Sequence, residues 1–161
     1  MAIHLAHKKD SLFMDITLDD RLTGGLGGLL GLPSASDEMS LARADRGALG
    51  TRLLKALTRT GPANKGVLAP ADVYRVIPRR TWIRRKAEGV LTVPEFDGLY
   101  RLVRLQLLTN LVFQDAERAQ AWLNSPKERL GGATPMDFAA DSLGYEAVQS
   151  WLHEIDQGYF A

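Results

Sequence analysis

From about residue 37 onward, apolar residues recur at intervals of three and four while alternating runs are scarce, so the pattern predicts an all-α fold. Leu49, Leu53, Leu54 and Leu57 share one face of a helix over 49–58, which Gly61 and Pro62 end. A short helix over 70–76 precedes a second over 79–88, closed by Gly89 in a C-cap role. The longest helix is expected over 93–113, with Leu99, Leu102, Val103, Leu105, Leu108, Leu111 and Val112 facing inward. It starts on Thr92-Val93-Pro94-Glu95, a capping box in which the hydroxyl accepts a first-turn amide and the carboxylate reaches back to the cap amide. Asp115 can cap a helix reaching Leu123. Ser125-Pro126-Lys127-Glu128 reads as a second box, and Thr134-Pro135-Met136-Asp137 repeats it with Asp for Glu and proline at the first helical position. The last helix is expected over 145–156, where Val148, Trp151, Leu152 and Ile155 follow the i, i+3, i+4, i+7 spacing and Gly158 is the stop.

Residues 1–36 do not share this pattern. Between 22 and 36 stand five glycines and a proline, a composition that penalises helix and breaks strand, so an irregular Gly-rich lead-in is expected over 1–36, or a dimer contact through its leucines. The dinucleotide pattern GxGxxG fails there, because Leu30 stands where its last glycine belongs.

Charge changes the picture at one place. Residues 77–89, IPRRTWIRRKAEG, hold Arg79, Arg80, Arg84, Arg85 and Lys86 against the single acid Glu88, a local +4 in a chain of net charge +1, which leaves −3 for the remainder. One basic face on a faintly acidic body is the charge distribution of a domain that meets a polyanion. The short helix, tight turn and basic helix over 69–89 follow the plan of a helix-turn-helix, with Val73, Val76 or Ile77, Ile83 and Ala87 turned to the core. A recognition helix sets its N-terminal side chains against base edges while flanking cations bond phosphates. Arginine suits both tasks, since its planar fork grips guanine or phosphate through two bonds. Arg79, Arg80, Thr81, Arg84, Arg85 and Lys86 are therefore the DNA-contact candidates. Trp82 either packs at the domain edge or lies on the sugar-phosphate wall. The competing readings are a solvated basic face and an acidic protein partner. Against the solvated face, Glu88 and Glu95 are the only nearby acids, and Arg84 with Glu88 is the only (i, i+4) pair. A single unit of this kind makes few contacts, so a homodimer on a two-fold symmetric operator is expected.

The segment 122–161 has no part in reading DNA. Its charges mix both signs, and Tyr159, Phe160 and Ala161 follow Gly158. Two aromatics there either fold back on the core or form a docking peg, since aromatic anchors dominate interface energetics. The order Trp122-Leu123, Pro126, Leu130-Gly131-Gly132, Thr134-Pro135, a short helix, an amphipathic helix over Val148 to Ile155, and Gly158 to Ala161 closely resembles the toxin-binding domain of the Xre/MbcA/ParS family of bacterial antitoxins. Upstream, VLAPADVYRVIPRRTWIRRKAEGVLTVPEFDGLYRL resembles the helix-turn-helix of the same family, so the likeness covers roughly 67–161.

The resemblance implies an antitoxin of a two-gene module that neutralises a toxin that attacks NAD or uses it for ADP-ribosylation, commonly one with a RES domain. It implies obstruction of the toxin's NAD cleft by the C-terminal domain and autoregulation through operator DNA. Carried over by position, the toxin-facing candidates are Lys127, Arg129, Gly131, Gly132, Trp151, Ile155, Tyr159, Phe160 and Ala161. Trp122, Leu123, Phe138 and Trp151 are equally expected as core anchors. The implied organisation is a lead-in over 1–36, a helix-turn-helix domain over 37–113 and a toxin-binding domain over 114–161. A stand-alone regulator with a dimerising or ligand-sensing C-terminal domain is the alternative.

The remaining chemistry is sparse. With no cysteine, disulfides, thiolate catalysis and Cys-type zinc sites are out, and an intracellular, cytoplasmic address is expected. No signal-type apolar segment opens the chain, and no run approaches the ~18 apolar residues of a membrane span. His4 and His7 form HxxH in a segment expected to be mobile, and His153, beside Glu154 and Asp156, is expected as a solvated position on the outer face of the last helix, so no metal site is expected. No serine has a nucleophile-elbow setting. The chain is expected to be neither an enzyme nor a cofactor binder.

Overall fold

The computed structural model describes residues 16–32, 38–59 and 67–159. Among these it is helical throughout, with no strand, as the sequence pattern predicts. The elements in order are α1 (Leu18–Leu29), α2 (Glu38–Arg43), α3 (Arg46–Thr58), α4 (Pro70–Val73), α5 (Arg79–Glu88), α6 (Val93–Phe113), α7 (Ala116–Leu123), a 3₁₀ turn (Glu128–Leu130), α8 (Pro135–Phe138) and α9 (Ser142–Asp156).

The organising element is α6, whose 21 residues span about 30 Å. The Thr92–Glu95 capping box forms as predicted, with the Glu95 amide donating to Thr92 Oγ1 and the Thr92 amide donating to Glu95 Oε2. Phe96, Leu99, Leu102, Val103, Leu105 and Leu108 are all buried, because α1, α3, α7 and α9 each pack against this helix. Two polar side chains are buried with them. Thr109 donates to the Leu105 carbonyl at 2.7 Å, and Gln106 Nε2 donates to Asn110 Oδ1 at 2.9 Å.

The expected irregular lead-in is corrected over 18–29, where the chain forms α1. Thr17 and Asp20 make a reciprocal capping box, and Leu22, Leu26 and Leu30 are buried at 1–2% exposure. Three leucines at helical spacing on α6 outweigh a glycine penalty of about 1 kcal/mol per residue. Gly24, Gly25 and Gly28 meet nothing within 4 Å of a built Cβ, so they lie on the open side and do not oppose the packing. Residues 1–15, including His4 and His7, and 33–36 lie outside the described residues.

Smaller departures have local causes. The Ser125–Glu128 box does not form; Ser125 Oγ donates instead to the Ala121 carbonyl, a common competition for serine after a helix. α9 starts at Ser142, earlier than the expected 145, because Asp141 accepts the Gly144 amide at 2.8 Å and caps it. Phe138 is 38% exposed and is not the core anchor its size suggests, whereas Leu123, Trp151, Val148 and Leu152 are buried.

Candidate functional site

The basic helix is positioned by what lies behind it. α4 opens on Pro70, and Tyr74 to Pro78 connect it to α5 with Val73 and Ile77 buried at 4% and 0% exposure. Val76 lies against α6 at Gly98, where a Cβ would come within 2.6 Å of Val76 Cγ1, so only glycine admits this approach. Asp72 is buried at 2% and accepts Arg75 Nε at 3.0 Å; Arg75 also bonds Asp137 at the start of α8, tying the connection to the C-terminal part of the chain. Two carboxylates keep the Arg75 guanidinium firmly charged against the opposing effect of burial. At its other end α5 stops on Gly89, at φ +73°, whose carbonyl accepts Thr51 of α3.

The structure sorts the six predicted DNA-contact residues. Arg79, Arg80, Arg84 and Lys86 are exposed and Thr81 is half-buried. Arg85 is turned inward with its side chain 18% exposed, where Nε donates to Glu95 Oε1 at 3.0 Å and Nη1 to Glu88 Oε2 at 3.1 Å. Burial pushes the Glu95 carboxyl upward, but bonds from the Thr92 amide and Arg85 outweigh it and hold it below the usual range. Trp82 is the inward anchor, at 6% exposure. The expected inward placement of Ile83 and Ala87 is corrected: Ile83 is 56% exposed and Ala87 is exposed, because the buried side of α5 runs through Trp82 and Arg85.

A second surface forms at the C-terminal end. α7 is capped by Asp115, and the loop after it is closed by Lys127 N–H to Ala133 O at 3.0 Å and Gly132 N–H to Lys127 O at 2.9 Å. Gly131 and Gly132 hold φ of +65° and +90°, a backbone that other side chains strain, and so the loop turns back toward α9. There Arg129 donates two bonds to Glu154, at 2.7 and 3.1 Å, with its guanidinium carbon 4.9 Å from the Trp151 ring centroid. Lys127 lies 5.4 Å over Trp122. Beneath them Phe113, Trp122 and Trp151 pack in series, with centroids 5.7 and 5.0 Å apart. The bond to Arg129 lowers the Glu154 pKa and raises that of Arg129, so both stay charged near neutrality.

Of the predicted toxin-facing residues, Lys127, Arg129, Gly131, Gly132, Ile155 and Tyr159 thus gather at one end of the molecule. Trp151 is 5% exposed and shapes that end from beneath. Tyr159, whose amide donates to Glu154 O at 2.9 Å, leaves its side chain 67% exposed. Phe160 and Ala161 lie outside the described residues. Sequence reasoning missed Glu154, Phe113 and the bond from Arg75 to Asp137, none of which has a local signal: their partners are 25, 9 and 62 residues away.

The family described as "Antitoxin Xre/MbcA/ParS C-terminal toxin-binding domain" matches residues 108–158. The protein called "Antitoxin Xre" from Pseudomonas putida KT2440 is 31% identical over 159 residues, covering 96% of each chain. The chain belongs to the Xre antitoxin family. In this Xre antitoxin the matched domain begins at Leu108, inside α6, earlier than the boundary at 114 expected from sequence, and it takes in α7, the Lys127–Gly132 loop, α8 and α9. The cation–aromatic end therefore lies within the family's toxin-binding domain, with Tyr159 directly after it. Among the described residues no helix is long and apolar enough to cross a membrane, and no group of three or more His, Asp or Glu is placed to hold a metal ion.

Proposed function

We propose that this antitoxin neutralises a cognate NAD-consuming toxin, RES-type or ADP-ribosylating, by covering the toxin's nucleotide cleft with its C-terminal end. The observation that carries the reading is the built edge of Lys127 and Arg129 over the Trp122–Trp151 pair, within the matched toxin-binding domain, with the exposed Tyr159 directly after it. Arg129 is held by Glu154 and by the ring beneath it, so little of its side-chain entropy is left to lose on docking. A cleft that admits a nucleotide can be closed by filling its mouth, which asks no catalytic group of the inhibitor. One buried aromatic anchor such as Tyr159 or Phe160 contributes on the order of 2 kcal/mol or more to such an interface.

The same chain represses its own operon in this reading. α4, the connection and α5 act as a helix-turn-helix, with Arg79, Arg80, Arg84 and Lys86 meeting operator DNA and two copies binding a two-fold symmetric site. Arg85 supports the helix from behind.

Co-expression with the partner toxin, scoring growth and cellular NAD, tests the antitoxin reading. The full chain should restore both, while a chain ending at Gly158 and an Arg129→Glu variant should restore neither fully. Rescue by all three moves the contact elsewhere on the domain; rescue by none overturns neutralisation and leaves a DNA-binding regulator.

A further inference from the structure

The outward side of α5 carries an apolar residue that takes no part in the core. At 100° per residue, Trp82 and Arg85 define the buried side, and Arg80, Ile83 and Ala87 run along the opposite crest with Arg79, Arg84 and Lys86 beside them. Ile83 is 56% exposed at the centre of these four cations, of which only Arg84 has an ion-pair partner among the described residues, Glu88 at 3.7 Å. An apolar side chain ringed by positive charge does not suit a second copy of the same face, because the two sets of cations would repel. It suits a polyanion that presents a small apolar group between its charges. The major groove of DNA does so: phosphates line its walls, and on its floor only thymine among the four ordinary bases carries a methyl group.

We infer that Ile83 reads the C5 methyl of a thymine in the major groove, with Ala87 one turn on leaving room for α5 to approach the floor and Arg80, in the first turn, reaching a neighbouring base edge. The inference rests on the DNA-binding reading of α5 and adds to it the residue that selects a base through an apolar contact rather than a hydrogen bond.

The test starts from a randomised duplex library enriched on the full-length protein. Each thymine of the selected duplex is then replaced by deoxyuridine, which removes the methyl and nothing else. Wild-type binding should fall about fourfold at one thymine per half-site, the effect of taking one methyl out of an apolar contact. Ile83→Ala should bind thymine and deoxyuridine duplexes equally while keeping the salt dependence of the wild type. Because Ile83 is largely exposed, the variant should also keep the wild-type melting temperature. No penalty for any deoxyuridine, or an unchanged penalty in Ile83→Ala, overturns the thymine contact but leaves DNA binding standing. Loss of dimer in Ile83→Ala by sedimentation assigns the side chain to a second copy and overturns it too. Failure of the wild type to enrich any sequence removes both the contact and the reading it rests on.

Discussion

At the scale of single residues, the most exacting position is one with no charge and no ring. A Cβ built on Gly144, in the first turn of α9, falls 1.7 Å from the Phe138 carbonyl oxygen. Backbone cannot rotate away as a side chain can, so α8 and α9 would have to part. Gly144→Ala is expected to destabilise the protein by about 3 kcal/mol, read from urea unfolding, although alanine is the better helix former by about 1 kcal/mol. Glu95 gives a second residue-scale prediction. Its carboxyl is held below the ordinary value of 4.5, so in the unfolded chain it takes up a proton at higher pH than in the folded protein. The stability this brings is fully present above pH 4.5 and is lost as pH falls through the lower folded value. Glu95→Gln keeps a side chain that can serve the capping box but loses the charge facing Arg85. The variant should be less stable by about 1 kcal/mol at neutral pH, a gap that narrows as denaturant titrations are repeated at pH values successively below 4.5.

At the scale of elements, the two helices least alike in the sequence, α1 and α5, show what was legible and what was not. α5 was readable because its signals are local: a proline before it, Gly89 after it, and a run of basic residues between. Which side it buries was not readable, because that depends on Trp82 and Arg85 meeting residues of other elements, among them Glu95 at the start of α6. The basic helix therefore divides into inward and outward cations. Arg85→Ala should lower the melting temperature measurably, whereas Arg84→Ala, with a 60% exposed side chain in a 3.7 Å ion pair, should leave the melting curve within error. α1 was hidden for the opposite reason. Its glycines dominate the local composition, while its three buried leucines gain their energy chiefly from packing on α6, some eighty residues on. Leu26 is 2% exposed, so Leu26→Ala should cost about 2–4 kcal/mol in urea unfolding. An irregular lead-in would give no change at all. The cation–aromatic end was legible through its motif order, but its construction was not: the Gly131-Gly132 turn has a sequence signature, and the Glu154 that receives Arg129 has none.

At the scale of the whole molecule, the domain boundary expected from sequence falls at 113/114, where α6 ends, yet elements from both sides of it pack on this helix. α1 and α3 pack on this helix and so do α7 and α9, while Arg75 bonds Asp137 and Arg101 Nη1 donates to the Ala140 carbonyl at 3.1 Å. Leu99, Leu102, Val103, Leu105 and Leu108 follow one another along a single core that neither half can complete without the other. A division into independently stable domains would need two cores, so the chain should unfold in one step. The tryptophans make this measurable, because Trp82 lies behind the basic helix and Trp122 and Trp151 lie under the cation–aromatic end. In a Trp82→Phe variant, fluorescence reports only the C-terminal end while far-UV circular dichroism reports every helix. The two urea transitions should have the same midpoint and slope. Separate midpoints would mean that the basic helix and the cation–aromatic end are held by different cores, and that α6 is a tether between them rather than their common support. With a single transition, a core substitution such as Leu26→Ala weakens both surfaces together, whereas exposed changes such as Ile83→Ala and Arg129→Glu act on one surface each.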